Sequence, residues 1–160
     1  MQGLRCRKHF PAMIRRLGGE HPPPSSPPAV EILPFDPTTA VLGSATTARG
    51  RCEVERLRVL LTDRQRRTRV FVARLDGVEA GRVELFVGTT CSGIHGISVR
   101  ESVQGRGIGS ALLEHACREA ANAGSPAVVL LATTEGQRLY ERRGFVEVAR
   151  FGYWYRSFQR

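Results

Sequence analysis

Three alternating glycines, Gly105, Gly107 and Gly109, lie between an apolar segment and a segment with helical periodicity. Glycine has no Cβ, so its backbone can come close to a ligand. A helix that begins near Gly107 would point its unpaired N–H groups and its positive dipole end into this turn, which makes an anion site. Arg106 adds a guanidinium group whose planar fork suits phosphate. These residues predict that the turn binds a phosphorylated ligand.

The spacing of the glycines excludes two common phosphate-binding motifs. A P-loop ends in Gly-Lys-Ser/Thr, and this turn has no lysine. A dinucleotide-binding turn needs a third glycine where this chain has Ser110, and an acidic residue about 20 positions later, where the chain is apolar. The pattern Q/R-x-x-G-x-G/A is met by Gln104, Gly107 and Gly109. It resembles the acyl-CoA pyrophosphate loop of the GCN5-related N-acetyltransferase (GNAT) superfamily.

A second motif follows in the order that this superfamily has. The segment from Leu139 to Phe145 is L-Y-E-R-R-G-F, and it resembles the L-Y-x-x-x-G-F block that closes the cofactor site. The resemblance covers residues 69–158 and departs from the common pattern at two positions. Many members have Asn where this chain has Thr133, and Pro where it has Glu101.

The resemblance implies both a fold and an activity. The fold would be α/β, with a GNAT-like mixed, mostly antiparallel sheet in which a central splayed pair of parallel strands is flanked by helices. The activity would be transfer of an acetyl group from acetyl-CoA, as co-substrate, to an amine by direct attack, without a metal. The acceptor would be a small molecule or a peptide. The alternative is a non-catalytic acyl-CoA-binding domain that serves regulation or as a scaffold.

The resemblance also assigns individual residues. Tyr140 aligns with the tyrosine that faces the thioester sulfur, and a phenol with a pKa near 10 could protonate the leaving thiolate. Glu84, His95 or a chain of water molecules could accept the proton of the amine. The residues assigned to acetyl-CoA are Ile97, Ser98, Val99, Gln104, Gly105, Arg106, Gly107, Ile108, Gly109, Ser110, Thr133 and Gly136.

Periodicity predicts the elements that must position these residues. A hairpin around Asp76-Gly77 and a third strand ending at Val99 are antiparallel. A helix from Ile108 to Ala123 leads into the apolar strand 127–132, and such a strand–helix–strand unit predicts a parallel pair. Residues 134–137 fit a helix capping box, and two closing strands are predicted over 145–150 and 151–158.

Residues 1–28 are basic and proline-rich and are predicted to form a disordered leader, with a single domain over 29–160. The net charge is +9, but the basic segments lack interleaved aromatics, so we do not expect nucleic acid to be the partner. No apolar run is long enough for a membrane span. The cysteines are scattered, which favours a reducing, cytoplasmic compartment, and Cys117 is expected in the core. The aromatics near Trp154 could form a homodimer contact or cover the sheet.

Overall fold

The computed structural model describes residues 5–19, 30–35, 55–57, 59, 61–62 and 67–155. The strands are β1 (Arg5–Arg16), β2 (Val30–Pro34), β3 (Thr68–Leu75), β4 (Val78–Phe86), β5 (Ser92–Val99), β6 (Ala127–Leu131) and β7 (Val146–Tyr155). The helices are α1 (Ile108–Asn122) and α2 (Thr134–Glu141), and a short 3-10 helix spans Glu101–Val103. Residues 55–57, 59 and 61 are also helical.

The described strands form one sheet in the order β2-β3-β4-β5-β6-β1-β7. Every pairing between these strands is antiparallel except that of β5 with β6. The predicted fold class, a mixed and mostly antiparallel sheet with a central parallel pair and flanking helices, is confirmed. Among the described residues, none of the helices has the length and apolar character needed to cross a membrane.

The parallel pair separates after three residues. β5 pairs with β6 only from Ser92 to Ile94, while its pairing with β4 continues to Val99. The register between β4 and β5 shifts at this point, which leaves His95 as an extra residue on β5. Such a bulge bends a strand and increases its twist. β5 therefore turns away from β6 and opens a gap in the middle of the sheet.

Helix α1 packs on one side of the sheet, which we call the helix face. Val83, Leu85, Val128 and Leu130 point to this side and are buried. At Gly81 of β4, a Cβ would lie 2.5 Å from the Ser98 carbonyl oxygen of β5 and 3.3 Å from Leu112 Cδ1 of α1. Only glycine leaves room for the end of β5 at this position, a requirement that the sequence analysis missed.

The prediction of a disordered leader is wrong for Arg5–Arg16, which form β1 between β6 and β7. Ala12 pairs with Leu131 on one side and with Ala149 on the other. Met13 is fully buried, so every second residue of this segment contributes to the core. Residues 1–4 and 20–29 lie outside the described part of the chain.

Two local predictions also differ from the structure. The two predicted closing strands form a single strand, β7, with one bulge against β1. Thr133, not Thr134, caps α2: its Oγ1 accepts a hydrogen bond from the Gly136 N–H at 3.2 Å. The capping box would need Glu or Gln at the position that Gly136 occupies, so only half of that motif is present.

Candidate functional site

A cavity of about 790 Å³ lies where β5 and β6 separate. Ile97 and Val99 reach it from the helix face, while Ser98 and Leu131 reach it from the opposite face. The cavity therefore passes through the sheet and is open to both sides. Apart from Arg106, the predicted site residues line it: Ile97, Ser98, Val99, Gln104, Gly105, Gly107, Ile108, Gly109, Ser110, Thr133, Gly136 and Tyr140.

One end of the cavity is formed by the N-terminus of α1. Gly107 precedes the helix with φ 80°, a left-handed conformation that favours glycine. No side chain caps this end, and the helical bonding begins with Ala111 N–H donating to the Gly107 carbonyl at 3.0 Å. The backbone N–H groups before Ala111 can therefore bind an anion at the cavity wall.

Gln104 fixes the turn that leads to this helix end. Its Nε2 donates a hydrogen bond to the Val99 carbonyl at 3.2 Å, and its backbone N–H donates to the Glu101 carbonyl at 3.3 Å. The side chain thus ties the turn to the last residue of β5. Arg106 in the same turn is exposed and lies outside the cavity lining.

Tyr140 lies on the helix-face side of the cavity and is 9% exposed. Its ring packs edge-to-face on Phe145, with the ring centroids 5.9 Å apart. Burial raises the pKa of the Tyr140 phenol above its ordinary value, because the charged form loses its hydration. The phenol is therefore fully protonated near neutral pH and can act as a proton donor.

Thr133 and Gly136 complete the wall around this tyrosine. The Thr133 hydroxyl accepts from the Gly136 N–H, and it also hydrogen-bonds the Glu135 carboxylate. The backbone N–H of Glu135 and, to a smaller extent, the Thr133 hydroxyl lower the pKa of the Glu135 carboxyl group. The beginning of α2 is thus a preorganised set of backbone and side-chain hydrogen bonds at the cavity wall.

The two side chains proposed as proton acceptors have different surroundings in the structure. Glu84 is buried and forms a bidentate ion pair with Arg56, with Nη1 3.0 Å from Oε2. It does not belong to the cavity lining. His95 is exposed at the β5 bulge, lines the cavity and packs edge-to-face on Phe86, with ring centroids 6.3 Å apart. His95, but not Glu84, can therefore meet a molecule in the cavity.

Cys117 lies away from this chemistry, on the buried side of α1. It is 2% exposed, and burial raises the pKa of its thiol to about 12. A thiol with this pKa is not ionised near neutral pH and is a poor nucleophile. The expectation that Cys117 is a core residue is confirmed.

Comparison with known proteins agrees with this geometry. A family model described as an acetyltransferase (GNAT) domain matches residues 66–147, half of the chain. A GCN5-related N-acetyltransferase from Sphaerobacter thermophilus is similar in structure, with a TM-score of 0.72 and 22% identity over 94% of this chain and 51% of that one. A GNAT family acetyltransferase from Elizabethkingia anophelis with acetyl-CoA bound matches with a TM-score of 0.55 and 22% identity, over 72% of this chain and 74% of that one.

A third similar structure is a ribosomal-protein-alanine N-acetyltransferase from Brucella melitensis, with a TM-score of 0.59 and 25% identity over 71% of this chain and 90% of that one. The chain spans about half to three fifths of the first structures that it matches. No curated protein matches the sequence. The family model, together with the splayed strand pair, establishes that this chain belongs to the GCN5-related N-acetyltransferase family.

Proposed function

We propose that this protein transfers an acetyl group from acetyl-CoA to an amine of a small-molecule or peptide acceptor. The proposal is carried by the cavity between β5 and β6, which has an uncapped helix end at its wall and a buried, protonated phenol on one side of the sheet. A cavity through the sheet lets two substrates approach the same point from opposite faces.

The residues present fit acetyl-CoA. The N–H groups at the start of α1, from Ile108 to Ser110, would hold the pyrophosphate. Beyond Ile94, the edge of β5 that faces the gap has no strand partner among the described residues, so its backbone can pair with the amide groups of the pantetheine arm. Thr133 and Gly136 line the same wall, whereas Arg106 lies outside the lining and would act only at the entrance.

The transfer requires one proton donor and one proton acceptor. Acetyl-CoA supplies a thioester, whose C–S bond breaks as the bond between the carbonyl carbon and the amine nitrogen forms. The nitrogen loses a proton, and the leaving sulfur gains one. Tyr140 on the helix-face side donates a proton to the sulfur, and His95 on the opposite side accepts the proton of the amine. The acceptor would therefore enter from the face opposite α1.

The ion pair with Arg56 is the reason to prefer His95 over Glu84. The Glu84 carboxylate is engaged by two guanidinium hydrogen bonds and lies outside the cavity lining. The imidazole of His95 lies in the cavity wall and is of the side-chain type that most often exchanges protons near neutral pH. The free thiols of Cys91 and Cys117 are consistent with a reducing, cytoplasmic compartment, which belongs to the same proposal.

Binding and turnover test the proposal separately. Isothermal titration with acetyl-CoA should show saturable binding, whereas NADH and ATP should not compete for the site. Release of free CoA thiol should then depend on an added amine. The variant Tyr140→Phe should bind acetyl-CoA as the wild type does and should lose about 100-fold in kcat.

The possible outcomes distinguish the two functions considered. Binding of acetyl-CoA with no amine-dependent release over a broad amine panel would favour the regulatory or scaffold alternative. If folded protein fails to bind acetyl-CoA, both are wrong. If Tyr140→Phe retains full kcat, the role of Tyr140 as proton donor is wrong although the acetyltransferase function stands.

A further inference from the structure

An exposed apolar area lies on β6, β1 and β7, on the side opposite α1, where none of the described helices packs. Cross-strand partners point to the same side of a sheet. Phe10 pairs with Phe151, Ala12 with Leu131, and Ile14 with Val146. We call this area the open apolar face; its main side chains are Phe10, Ile14, Leu131, Val146, Phe151 and Tyr153.

Four of these side chains are more than half exposed. The exposed fractions are 56% for Leu131, 59% for Val146, 56% for Phe151 and 64% for Tyr153. Four such side chains expose about 400 Å² of apolar surface, a size at which exposed patches on monomers often mark binding sites. The pairings with β1, including the β7 bulge between Val146 and Phe151, place these residues on one side of the sheet, so they do not represent scattered surface residues.

The open apolar face is continuous with the candidate active site. Leu131 is the last residue of β6 and belongs both to this face and to the cavity lining. β1 runs antiparallel to β6, so Phe10 and its partner Phe151 lie just beyond the end of β6, on the side where the gap opens. A molecule whose amine reaches His95 from this side would place its remaining atoms on the open apolar face.

Resting on the proposed acetyltransferase function, we propose that the acceptor is a polypeptide in which apolar side chains follow the acetylated amine, and that these side chains bind the open apolar face. The face extends about 20 Å along the strands and about 10 Å across them. An extended segment of about six residues spans this length, whereas a single aromatic amine covers only part of it.

A second copy of the chain is a weaker candidate for this surface. The apolar area of about 400 Å² is half of the roughly 800 Å² that each partner buries in a standard interface. The net charge of +9 also makes two copies repel each other. A short apolar peptide matches the size of the surface and carries no such charge.

Two peptides and three variants test the proposal in the full chain. The first probe is a fluorescein-labelled hexapeptide with a free N-terminal amine followed by leucine and phenylalanine residues, and the second has serine at those positions. The variants are Phe151→Ser, Leu131→Ser and the control Val78→Ser, which removes a 54% exposed apolar residue on the distant β3–β4 hairpin. Fluorescence anisotropy measures binding, and release of CoA thiol measures transfer.

We expect the wild type to acetylate the apolar peptide with a kcat/KM at least tenfold above that of the serine peptide. Phe151→Ser and Leu131→Ser should remove this preference and weaken binding of the apolar peptide about tenfold. In Phe151→Ser, whose side chain lies outside the cavity lining, acetyl-CoA affinity and the rate on the serine peptide should stay unchanged. Val78→Ser should behave as the wild type.

Three results would overturn the inference: equal kcat/KM for both peptides, equal loss in Val78→Ser, or a preference for phenethylamine that Phe151→Ser does not alter. A dimer in sedimentation experiments that Phe151→Ser dissociates would assign the face to self-association and also contradict it. If acetyl-CoA does not bind at all, the proposed function fails, and peptide binding by anisotropy still tests the surface.

Discussion

Gly136 and the ring of Tyr140 leave each other no spare room: a Cβ at position 136 would lie 2.9 Å from Cε2 of the tyrosine and 3.3 Å from Oγ1 of Thr133. The resemblance assigned Gly136 to acetyl-CoA, and it does line the cavity. Gly136 also has a structural role, because the absence of a side chain at this position allows the Tyr140 ring to lie where it does.

The variant Gly136→Ala should therefore act through Tyr140. The added methyl group must displace the ring, so we expect kcat to fall about tenfold, since a small misplacement of a reacting group is costly. In steady-state kinetics, Gly136→Ala combined with Tyr140→Phe should be no slower than Tyr140→Phe alone. Additive losses in the double variant would show that Gly136 acts by another route.

Gly109→Ala should weaken the binding of acetyl-CoA without lowering the stability of the fold. A Cβ at this position would lie 3.6 Å from Leu139 Cδ2 and 3.7 Å from Val99 Cγ2, which are ordinary contacts. Alanine inside a helix is favoured over glycine by about 0.5–1 kcal/mol, so Tm should stay the same or rise. Because the methyl group is added at the cavity wall, titration calorimetry should show a Kd for acetyl-CoA about tenfold weaker. Unchanged affinity would mean that the α1 terminus is not a contact surface for acetyl-CoA.

The two motifs, the helix after the glycines and the parallel pair could be predicted because their signals are local in sequence. β1 could not, because its apolar run from Phe10 to Ile14 is short, contains Pro11 and is flanked by basic residues. The two strands that pair with it, β6 and β7, are also far away in the chain. The same limit applies to the choice between Glu84 and His95. Glu84 is engaged by Arg56, which lies 28 residues earlier in the chain. His95 reaches the cavity because of a bulge that can be recognised only from the pairing of β4 with β5.

His95→Gln and Glu84→Gln should separate the two candidates for proton acceptor. If His95 accepts the proton of the amine, His95→Gln should lower kcat by about 100-fold. Acetyl-CoA affinity should not change. Glu84→Gln is the matched comparison: its effect should fall on stability, because it removes the carboxylate that pairs with the Arg56 guanidinium, and its kcat should stay close to the wild-type value. The reverse pattern would assign the proton acceptor to Glu84.

Cys117 gives the fold a dependence on alkaline pH. Burial raises the pKa of its thiol from 9.0 to about 12. The unfolded chain therefore loses this proton first, and the stabilisation is complete below pH 9 and is lost as pH rises towards 12. The loss amounts to about 4 kcal/mol in the free energy of unfolding. Urea denaturation between pH 8 and pH 11 should show a steeper decline for the wild type than for Cys117→Ala, and parallel curves would contradict the assignment.

Arg15 of β1 and Glu114 of α1 form a buried bidentate ion pair, with N–O distances of 2.8 and 3.1 Å and side-chain exposures of 5% and 8%. Glu114→Gln would leave a buried guanidinium without its counter-charge, which costs about 3–5 kcal/mol. The double variant Arg15→Met with Glu114→Leu removes both charges and should recover most of that loss, since Nε of Arg15 is buried without a partner even in the wild type.

Equilibrium urea denaturation measures both variants, and Glu147→Gln serves as the comparison. It breaks the exposed pair of Glu147 with Arg150 on β7, so its effect on the free energy of unfolding should be far smaller than that of Glu114→Gln. If Glu114→Gln costs no more than Glu147→Gln, the ion pair does not hold β1 on α1. In that case the backbone hydrogen bonds of β1 with β6 and β7 would be sufficient to keep β1 between these two strands.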